Sequence, residues 1–154
     1  MVDIKIRNAK ETDSKDVFKW RNDEITREMS HSPEIIEWEN HIRWYSNSLN
    51  SERRILLICE DDRNGKIAII RFDISESNAV ISINLNPSHR GKGLARSCLI
   101  GSIEFFSKEY TKIKNLIAEI KEDNIASQKT FLGIGFTKYN LKDNVGFYEK
   151  ILVW

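Results

Sequence analysis

The sequence predicts a single α/β domain of the α+β type, with about four helices around a mixed, mostly antiparallel sheet of about seven strands. Its 154 residues, 40% of them hydrophobic, suffice for one buried core, and no linker-like stretch divides the range 1–154. Short runs of apolar, β-branched residues end at turn residues, whereas longer segments have apolar residues at helical spacing. These observations give the order β-α-α-β-β-β-α-β-α-β-β.

The first third of the chain is predicted to be a strand followed by two helices. Apolar and polar residues alternate over 2–6, which is typical of a half-buried strand. Thr12 or Asp13 then caps a short helix that reaches Trp20. The segment SPE at 32–34 offers an N-cap followed by proline at the first helical position, so the second helix is predicted to start there.

The middle of the chain is predicted to be an antiparallel meander of three strands. Residues 54–60 (RILLICE) and 66–74 (KIAIIRFDI) flank Asn64 and Gly65, a strong hairpin signal. The turn SESN leads to the third strand at 79–86 (AVISINLN).

The last third begins with one long amphipathic helix. Apolar residues recur at helical spacing from Leu94 to Tyr110, so this helix starts inside a glycine-rich loop. The remaining predicted elements are a strand at 115–120, a short helix from Asn124 to Leu132 that ends at Gly133, and a final antiparallel pair at 136–142 and 145–153.

Charge and composition exclude several classes of partner. The 24 basic and 23 acidic side chains are interspersed and give a formal charge of +1, which favours neither a nucleic acid nor a membrane as partner. The chain has no apolar run long enough to span a bilayer, and its N-terminus lacks the pattern of a signal peptide. We therefore expect a cytoplasmic protein, either a monomer or a homodimer.

The two cysteines lie in apolar surroundings. Cys59 belongs to a predicted strand and Cys98 to the long helix, so both are expected to be buried free thiols rather than a disulfide. Without a nearby pair of histidines they form no zinc site, and we expect no metal.

The stretch SHRGKGLARS, residues 88–97, has the features of an anion-binding loop. The helix that begins at Leu94 presents unpaired backbone N–H groups, and Gly91 and Gly93 allow close approach of a ligand. A Walker loop is excluded by its spacing, and a dinucleotide motif would need a third glycine where Arg96 stands. Two interpretations stay open: a phosphate-binding loop, or a solvated turn before a helix.

This loop and a later segment together resemble the two signature motifs of the GNAT acetyltransferase superfamily. NLNPSHRGKGLA at 84–95 is similar to its acetyl-CoA loop, and NIASQKTFLGIGF at 124–136 to its second motif. The matching positions are Arg90, Gly93 and Ala95 in the first motif, and Asn124, Ser127, Gly135 and Phe136 in the second. The resemblance implies the GNAT fold over nearly the whole chain and an N-acetyltransferase that uses acetyl-CoA without a metal.

The same resemblance implies where the donor binds. Loop amides would hold the CoA pyrophosphate, and the strand before the loop would splay from its neighbour and bind the pantetheine arm. The implied CoA-binding positions are Leu85, Arg90, Gly91, Lys92, Gly93, Leu94, Ala95, Arg96, Asn124 and Phe131.

The catalytic side chains depart from the commonest GNAT pattern. Phe131 stands where many relatives have a tyrosine acid, so Ser127 is expected near the CoA thiol, unless it is a helix serine that faces solvent. Val80 stands where relatives often have a glutamate base. Asp73 and His41 are therefore the candidate bases, with a water chain as a third route. The alternative for Asp73, an aspartate at a strand end that begins the SESN turn, stays open.

The acceptor is expected on the side of the N-terminal helices. FKWRN and ENHIRWY, with the strand IIRFDI, resemble the UDP-amino-sugar N-acetyltransferases of pseudaminic acid-type pathways. That resemblance implies substrate-binding roles for Arg21, Met29, His41, Trp44, Arg71 and Asn84. Asn84 replaces an aromatic residue of those enzymes, and the tryptophans can alternatively be core residues.

The leading hypothesis is acetyl transfer to a small-molecule amine, the 4-amino group of a UDP-linked amino-deoxysugar. Two alternatives stay open. One is Nα-acetylation of a protein such as a ribosomal protein, which an acidic groove at Glu34, Glu37 and Glu39 would favour. The other is a non-catalytic CoA-binding regulatory module.

Overall fold

A seven-stranded sheet forms the centre of the molecule in a computed structural model that describes residues 3–152. The strands are β1 (Lys5–Asn8), β2 (Arg54–Asp61), β3 (Gly65–Ser75), β4 (Asn78–Leu85), β5 (Asn115–Lys121), β6 (Thr137–Lys142) and β7 (Val145–Ile151). The helices are α1 (Ser14–Asn22), α2 (Glu24–Glu28), α3 (Trp38–Leu49), α4 (Leu94–Glu109) and α5 (Ile125–Gly133), with single 3-10 turns at Glu11–Asp13 and Pro87–His89. The strand order is β1-β2-β3-β4-β5-β7-β6, and this architecture confirms the predicted fold class.

Each face of the sheet is covered by helices, and each has its own core. On the α4 face, Phe72 of β3 stacks on Phe106 of α4 with 4.0 Å between the ring centroids. On the opposite α3 face, Tyr45 packs over Ile58 and Ile69. Because side chains alternate along a strand, the residues on either side of Phe72 belong to the α3 face. Burying each such apolar side chain contributes roughly 1.5–3 kcal/mol.

The sheet consists of two antiparallel halves that meet at one parallel joint. Strands β4 and β5 pair only through Asn78–Val80 and Asn115–Ile117, whereas the other neighbouring strands are antiparallel. Beyond Val80 and Ile117 the two strands diverge. We call the opening the β4–β5 cleft, and it confirms the splayed strand that the family resemblance implied.

The segment between α1 and α3 differs from its prediction. The helix predicted from Ser32 begins only at Trp38, and the additional short helix α2 precedes it. Asn22 explains the late start, because its side chain accepts a hydrogen bond from Ile36 N (2.7 Å) and donates one to Ile36 O (2.8 Å). Those contacts hold the backbone at Ile36 outside a helix and leave Ile35 68% exposed.

The terminal strands are shorter than predicted. The first begins at Lys5, so the predicted strand position at Val2 lies outside the described residues. The last strand ends at Ile151, and Val153 of its predicted range also lies outside them.

The prediction that the two cysteines are free thiols is wrong. Both are fully buried as predicted, but Cys59 of β2 and Cys98 of α4 form a disulfide, with their Cα atoms 5.7 Å apart. The reason is packing: β2 lies under α4 on the same face, so the two side chains meet across the helix–sheet interface within the distance that a disulfide spans. The sequence alone does not predict this contact, since 39 positions separate the two cysteines.

A buried ion-pair network at Asp13 anchors the start of α1. The Asp13 carboxylate is 1% exposed, accepts two hydrogen bonds from the Arg7 guanidinium (2.8 and 3.0 Å) and lies 2.7 Å from Lys66 Nζ. Burial alone would raise the pKa of Asp13, but the hydrogen bonds from Arg7, Lys66 and the Lys10 backbone outweigh it and hold that pKa well below its usual range.

Replacing this carboxylate should destabilise the fold. We expect Asp13→Asn to lower the free energy of unfolding by about 3 kcal/mol, because it removes one partner of a buried ion pair. Since the pKa of Asp13 is lowered in the folded state, its stabilising contribution is complete above about pH 4 and is lost as the pH falls further. Urea unfolding at neutral and acidic pH measures both effects. Asp16→Asn is the matched control, because Asp16 shares Lys66 but is far more exposed; an equal loss in both variants would contradict the prediction.

Candidate active site

The β4–β5 cleft is the centre of the candidate site. Ser82 of β4 and Glu119 of β5 each lie two residues beyond the last paired positions, Val80 and Ile117. Both belong to the α3 face, because their neighbours in sequence, Ile81, Ala118 and Ile120, are buried in the core of the α4 face. Within the described chain, β4 beyond Val80 pairs only with β3, so one edge of its backbone is available to a ligand.

The glycine loop borders this cleft at the N-terminus of α4. Gly91 and Gly93 have φ angles of +75° and +71°, and a Cβ atom added at either would meet nothing within 4 Å. The N-terminus of this 16-residue helix, whose first-turn N–H groups have no partner within the helix, therefore begins at a backbone that a ligand can approach closely. Ala95 and Arg96 belong to this first turn, and Arg96 is exposed.

The other side of the loop is anchored to the β2–β3 hairpin. His89 Nε2 donates a hydrogen bond to the Asn64 carbonyl (2.8 Å), and the Asn86 side chain donates one to the Lys66 carbonyl (3.0 Å). Lys92 Nζ lies 3.4 Å from His89 Nδ1. These contacts fix the loop relative to the sheet and leave its glycines exposed.

Arg90 contacts α2 in this structure. Its guanidinium forms an ion pair with Asp23, the N-cap of α2, and donates a hydrogen bond to Thr26 Oγ1 (3.0 Å). Lys121 at the end of β5 donates a hydrogen bond to Glu28 O at the other end of the helix (3.1 Å). Helix α2 is thus tied to both sides of the β4–β5 cleft. Met29, its half-buried C-cap, is thereby placed close to the end of β5.

Helix α5 brings the second motif to the same region. Asn124 caps the helix, and its side chain accepts a hydrogen bond from Ser127 N (3.2 Å). Phe131 is buried edge-on against Phe136, with ring centroids 5.0 Å apart. Ser127 is half-buried and lies one turn before Phe131 on the same side of the helix, which favours an inward-facing hydroxyl over a solvent-facing one.

His41 does not fit its expected roles as a base and a substrate ligand. It is 0% exposed and lies among the rings of Phe18, Trp38, Trp44 and Tyr45. Its Nε2 must donate to the Ser14 carbonyl (2.9 Å), so its Nδ1 accepts from Arg21 Nη1 (3.0 Å). Burial, together with the charge of Arg21, lowers the pKa of His41 despite the hydrogen bond to Ser14. His41 is therefore a neutral residue that positions Arg21.

Asp73 forms ion pairs with two arginines. Its Oδ1 accepts a hydrogen bond from Arg54 Nε (2.6 Å), and its Oδ2 lies 3.1 Å from Arg71 Nε. Both carboxylate oxygens of Asp73 are thus taken up by arginine side chains and not directed to an acceptor amine, so Asp73 does not fit the role of base.

Glu119 is the carboxylate that the sequence interpretation missed. It is exposed at the opening of the β4–β5 cleft, on the face occupied by Ser82 and Arg71. Burial lowers the pKa of Arg71, and the charges of Asp73 and, to a smaller extent, Glu119 oppose that shift. The signal was present in NLIAEI, where Glu119 interrupts an apolar strand. Glu119 lies at the cleft only because β4 and β5 stop pairing after Val80 and Ile117, and the spacing of residues in the sequence does not predict where that pairing ends.

The remaining predicted acceptor residues gather on the α3 face. The Arg21 guanidinium lies 4.0 Å from the centre of the Trp44 ring, which is half-buried rather than part of the core. Arg71 pairs with Ser82 in the β3–β4 register, and the half-buried Asn84 lies two positions further along β4. The structure thus brings Arg21, Trp44, Arg71 and Asn84 to one side of the sheet, next to the cleft.

Open space at a helix N-terminus, a strand edge without a partner in the described chain and an exposed carboxylate all border the β4–β5 cleft. The chain matches the family model described as the acetyltransferase (GNAT) domain over residues 3–137, and it belongs to that family. This confirms the predicted enzyme class, an N-acetyltransferase.

Solved structures share the whole fold at low sequence identity. A domain from Methanocaldococcus jannaschii is 24% identical, with 99% of this chain and 100% of that chain covered and a TM-score of 0.84. The spermidine N-acetyltransferase of Vibrio cholerae, solved with CoA and spermine, is 15% identical, with 96% and 95% covered and a TM-score of 0.83. A GNAT-family acetyltransferase from Streptococcus pneumoniae is 15% identical, with 97% and 100% covered and a TM-score of 0.74. No curated protein sequence matches the chain.

Residues 3–152 contain neither a candidate metal site nor a membrane-spanning helix. No cluster of three or more histidine, cysteine, aspartate or glutamate side chains in this range could hold a metal ion. In the same range, every helix is too short or too polar to cross a bilayer.

Proposed function

We propose that this protein transfers acetyl from acetyl-CoA to the 4-amino group of a UDP-linked amino-deoxysugar. The observation that carries the proposal is the pairing of Arg21 with Trp44 on the α3 face. Trp44 also lies 5.9 Å from the guanidinium of Arg71, whose strand neighbours β4 at the cleft. A flat aromatic surface next to a guanidinium suits a nucleotide, since a base can stack while the charge contacts phosphate.

The donor fits the opposite side of the cleft. The open space at Gly91 and Gly93, together with the free N-terminus of α4, suits the CoA pyrophosphate, with Lys92, Leu94, Ala95 and Arg96 around it. The unpaired edge of β4 near Leu85 suits the pantetheine arm, and Asn124 and Phe131 place α5 beside it. Arg90 joins this set by exchanging its contact with Asp23 for one with the ligand.

In the proposed reaction, Glu119 and Ser127 each have one role. Acetyl-CoA supplies an activated thioester. The acceptor nitrogen forms the new C–N bond as the C–S bond breaks, and Glu119 accepts the single proton that the amine loses. Ser127 donates a hydrogen bond to the departing sulfur, which takes one proton from solvent. Backbone N–H groups of β4 stabilise the carbonyl oxygen as it gains charge.

Removing the Ser127 hydroxyl tests this assignment. We expect Ser127→Ala to lower kcat about 10-fold while the affinity for CoA stays unchanged, because the hydroxyl acts on the leaving sulfur and not on the pyrophosphate. Steady-state kinetics and calorimetric titration with CoA measure the two quantities. Thr130→Ala on the same helix is the control, since the Thr130 hydroxyl donates a hydrogen bond to the Ala126 carbonyl of its own helix (2.9 Å). A wild-type rate in Ser127→Ala would remove Ser127 from the mechanism.

Product formation tests the function itself. Thiol release from acetyl-CoA is measured with a UDP-4-amino sugar, with spermidine and with peptides that carry a free N-terminus. Release with the UDP-sugar alone supports the proposal, whereas release with peptides supports the protein Nα-acetyltransferase. CoA binding without turnover of any amine would support the third hypothesis, a non-catalytic CoA-binding regulatory module.

A further inference from the structure

Three arginines surround Trp44, and Arg54 is the one for which the sequence predicted no role in binding the acceptor. The distances from the guanidinium carbon to the Trp44 ring centre are 4.0 Å for Arg21, 5.8 Å for Arg54 and 5.9 Å for Arg71. We call Arg21, Arg54 and Arg71 the arginine cluster. Arg54 comes from the first residue of β2, which the sequence interpretation assigned only to a strand.

The arginine cluster carries more positive charge than its neighbours neutralise. Asp73 is the one acidic residue that forms ion pairs with it among the described residues, and it contacts Arg54 and Arg71. Arg21 bonds to neutral His41, and Arg71 Nε is buried without an aligned hydrogen-bond acceptor. Burial and the charges of Arg71 and Arg54 lower the pKa of Arg21 to about 10, so it still carries its charge at neutral pH.

The position of the cluster relates it to the reaction. Arg71 is directly opposite Ser82 at the cleft, whereas Arg54 borders a cavity of about 360 Å³ on the far side. This cavity is lined by polar groups that include Asn47, Ser48 and Ser51. An elongated acceptor can therefore place its amine at the cleft and the rest of the molecule over the cluster.

We propose that the arginine cluster is a subsite for a phosphate-type anion of the acceptor, and that Arg54 is a specificity-determining residue within it. The subsite deepens the proposed function and rests on it. Guanidinium groups bind phosphate oxygens in pairs, and three of them suit a diphosphate better than a single carboxylate. The same charge repels a polyamine, which distinguishes this site from one that accepts spermidine.

Titration with UDP tests the subsite without any chemistry. We expect UDP to quench the fluorescence of wild-type protein and Arg54→Gln to weaken its binding at least about 10-fold. Arg43→Gln is the matched control, because Arg43 is an exposed arginine next to Trp44 in sequence. Arg71→Gln is a second test if the first variant does not fold, which circular dichroism shows. Equal UDP affinity in wild-type protein and a folded cluster variant would overturn the proposal, as would UDP that competes only with acetyl-CoA.

Kinetics separate this inference from the proposed function. With a UDP-4-amino sugar, Arg54→Gln should raise the acceptor KM about 10-fold with little change in kcat, and Arg54→Lys should restore part of the loss. Acetylation of the UDP-sugar with an unchanged KM in Arg54→Gln would sustain the proposed function and refute the subsite. UDP binding that depends on Arg54, without acetylation of the UDP-sugar, would sustain the subsite and refute that acceptor.

Discussion

Replacing Gly93 by aspartate is expected to abolish binding of CoA. Gly93 is the N-cap of α4 with a φ of +71°, and the space next to it is open. An aspartate would place a carboxylate where pyrophosphate oxygens belong, next to backbone N–H groups that it could itself bind. We expect a loss of affinity of at least about 100-fold in calorimetric titration, since both repulsion and occupation of the donors oppose the ligand.

Gly93→Asn separates charge from backbone strain. Asparagine has nearly the same shape as aspartate and tolerates positive φ better than most residues do, but it carries no charge. We expect this variant to keep most of the affinity for CoA. Equal loss in both variants would attribute the effect to backbone conformation, and unchanged affinity in Gly93→Asp would refute the donor site.

Replacing Glu119 by glutamine should reduce kcat by about 10²–10⁴-fold, because the amine would lose its proton acceptor at the cleft. The acceptor KM should change much less, since the arginine cluster supplies the binding contacts. Initial rates at saturating acetyl-CoA measure both parameters.

Glu149→Gln is the matched control for Glu119. Glu149 of β7 lies opposite Ile117, at the closed end of the cleft, whereas Glu119 lies at its opening. We expect Glu149→Gln to keep a near wild-type kcat. If it lost as much activity as Glu119→Gln, the carboxylates would act through their general field and Glu119 would not be a specific base.

Most elements of the fold could be predicted from the sequence because local patterns specify them. The Asn64-Gly65 hairpin, the meander and the long helix from Leu94 occur where turn residues and apolar periodicity place them. The glycine loop could also be predicted, since Gly91 and Gly93 adopt the positive φ that few other residues tolerate.

The acceptor side could not be predicted to the same extent, because it depends on contacts between distant residues. The Asn22 side chain, 14 positions from Ile36, overrides a helix signal at Pro33. His41 was a candidate base, yet it is buried among four aromatic rings. Arg54 and Glu119 acquire their importance only from the neighbours that the sheet gives them.

The parallel joint between β4 and β5 has a consequence for cooperativity. Only three residue pairs connect the four-stranded half of the sheet to the three-stranded half, so the backbone ladder alone couples the halves weakly. A donor that pairs with the free edge of β4 while it contacts α5 links both halves. It would extend the hydrogen-bonded network across the joint, so that the two halves open together rather than independently. With the donor bound as proposed, a substrate of the reaction would also act as a strand of the sheet.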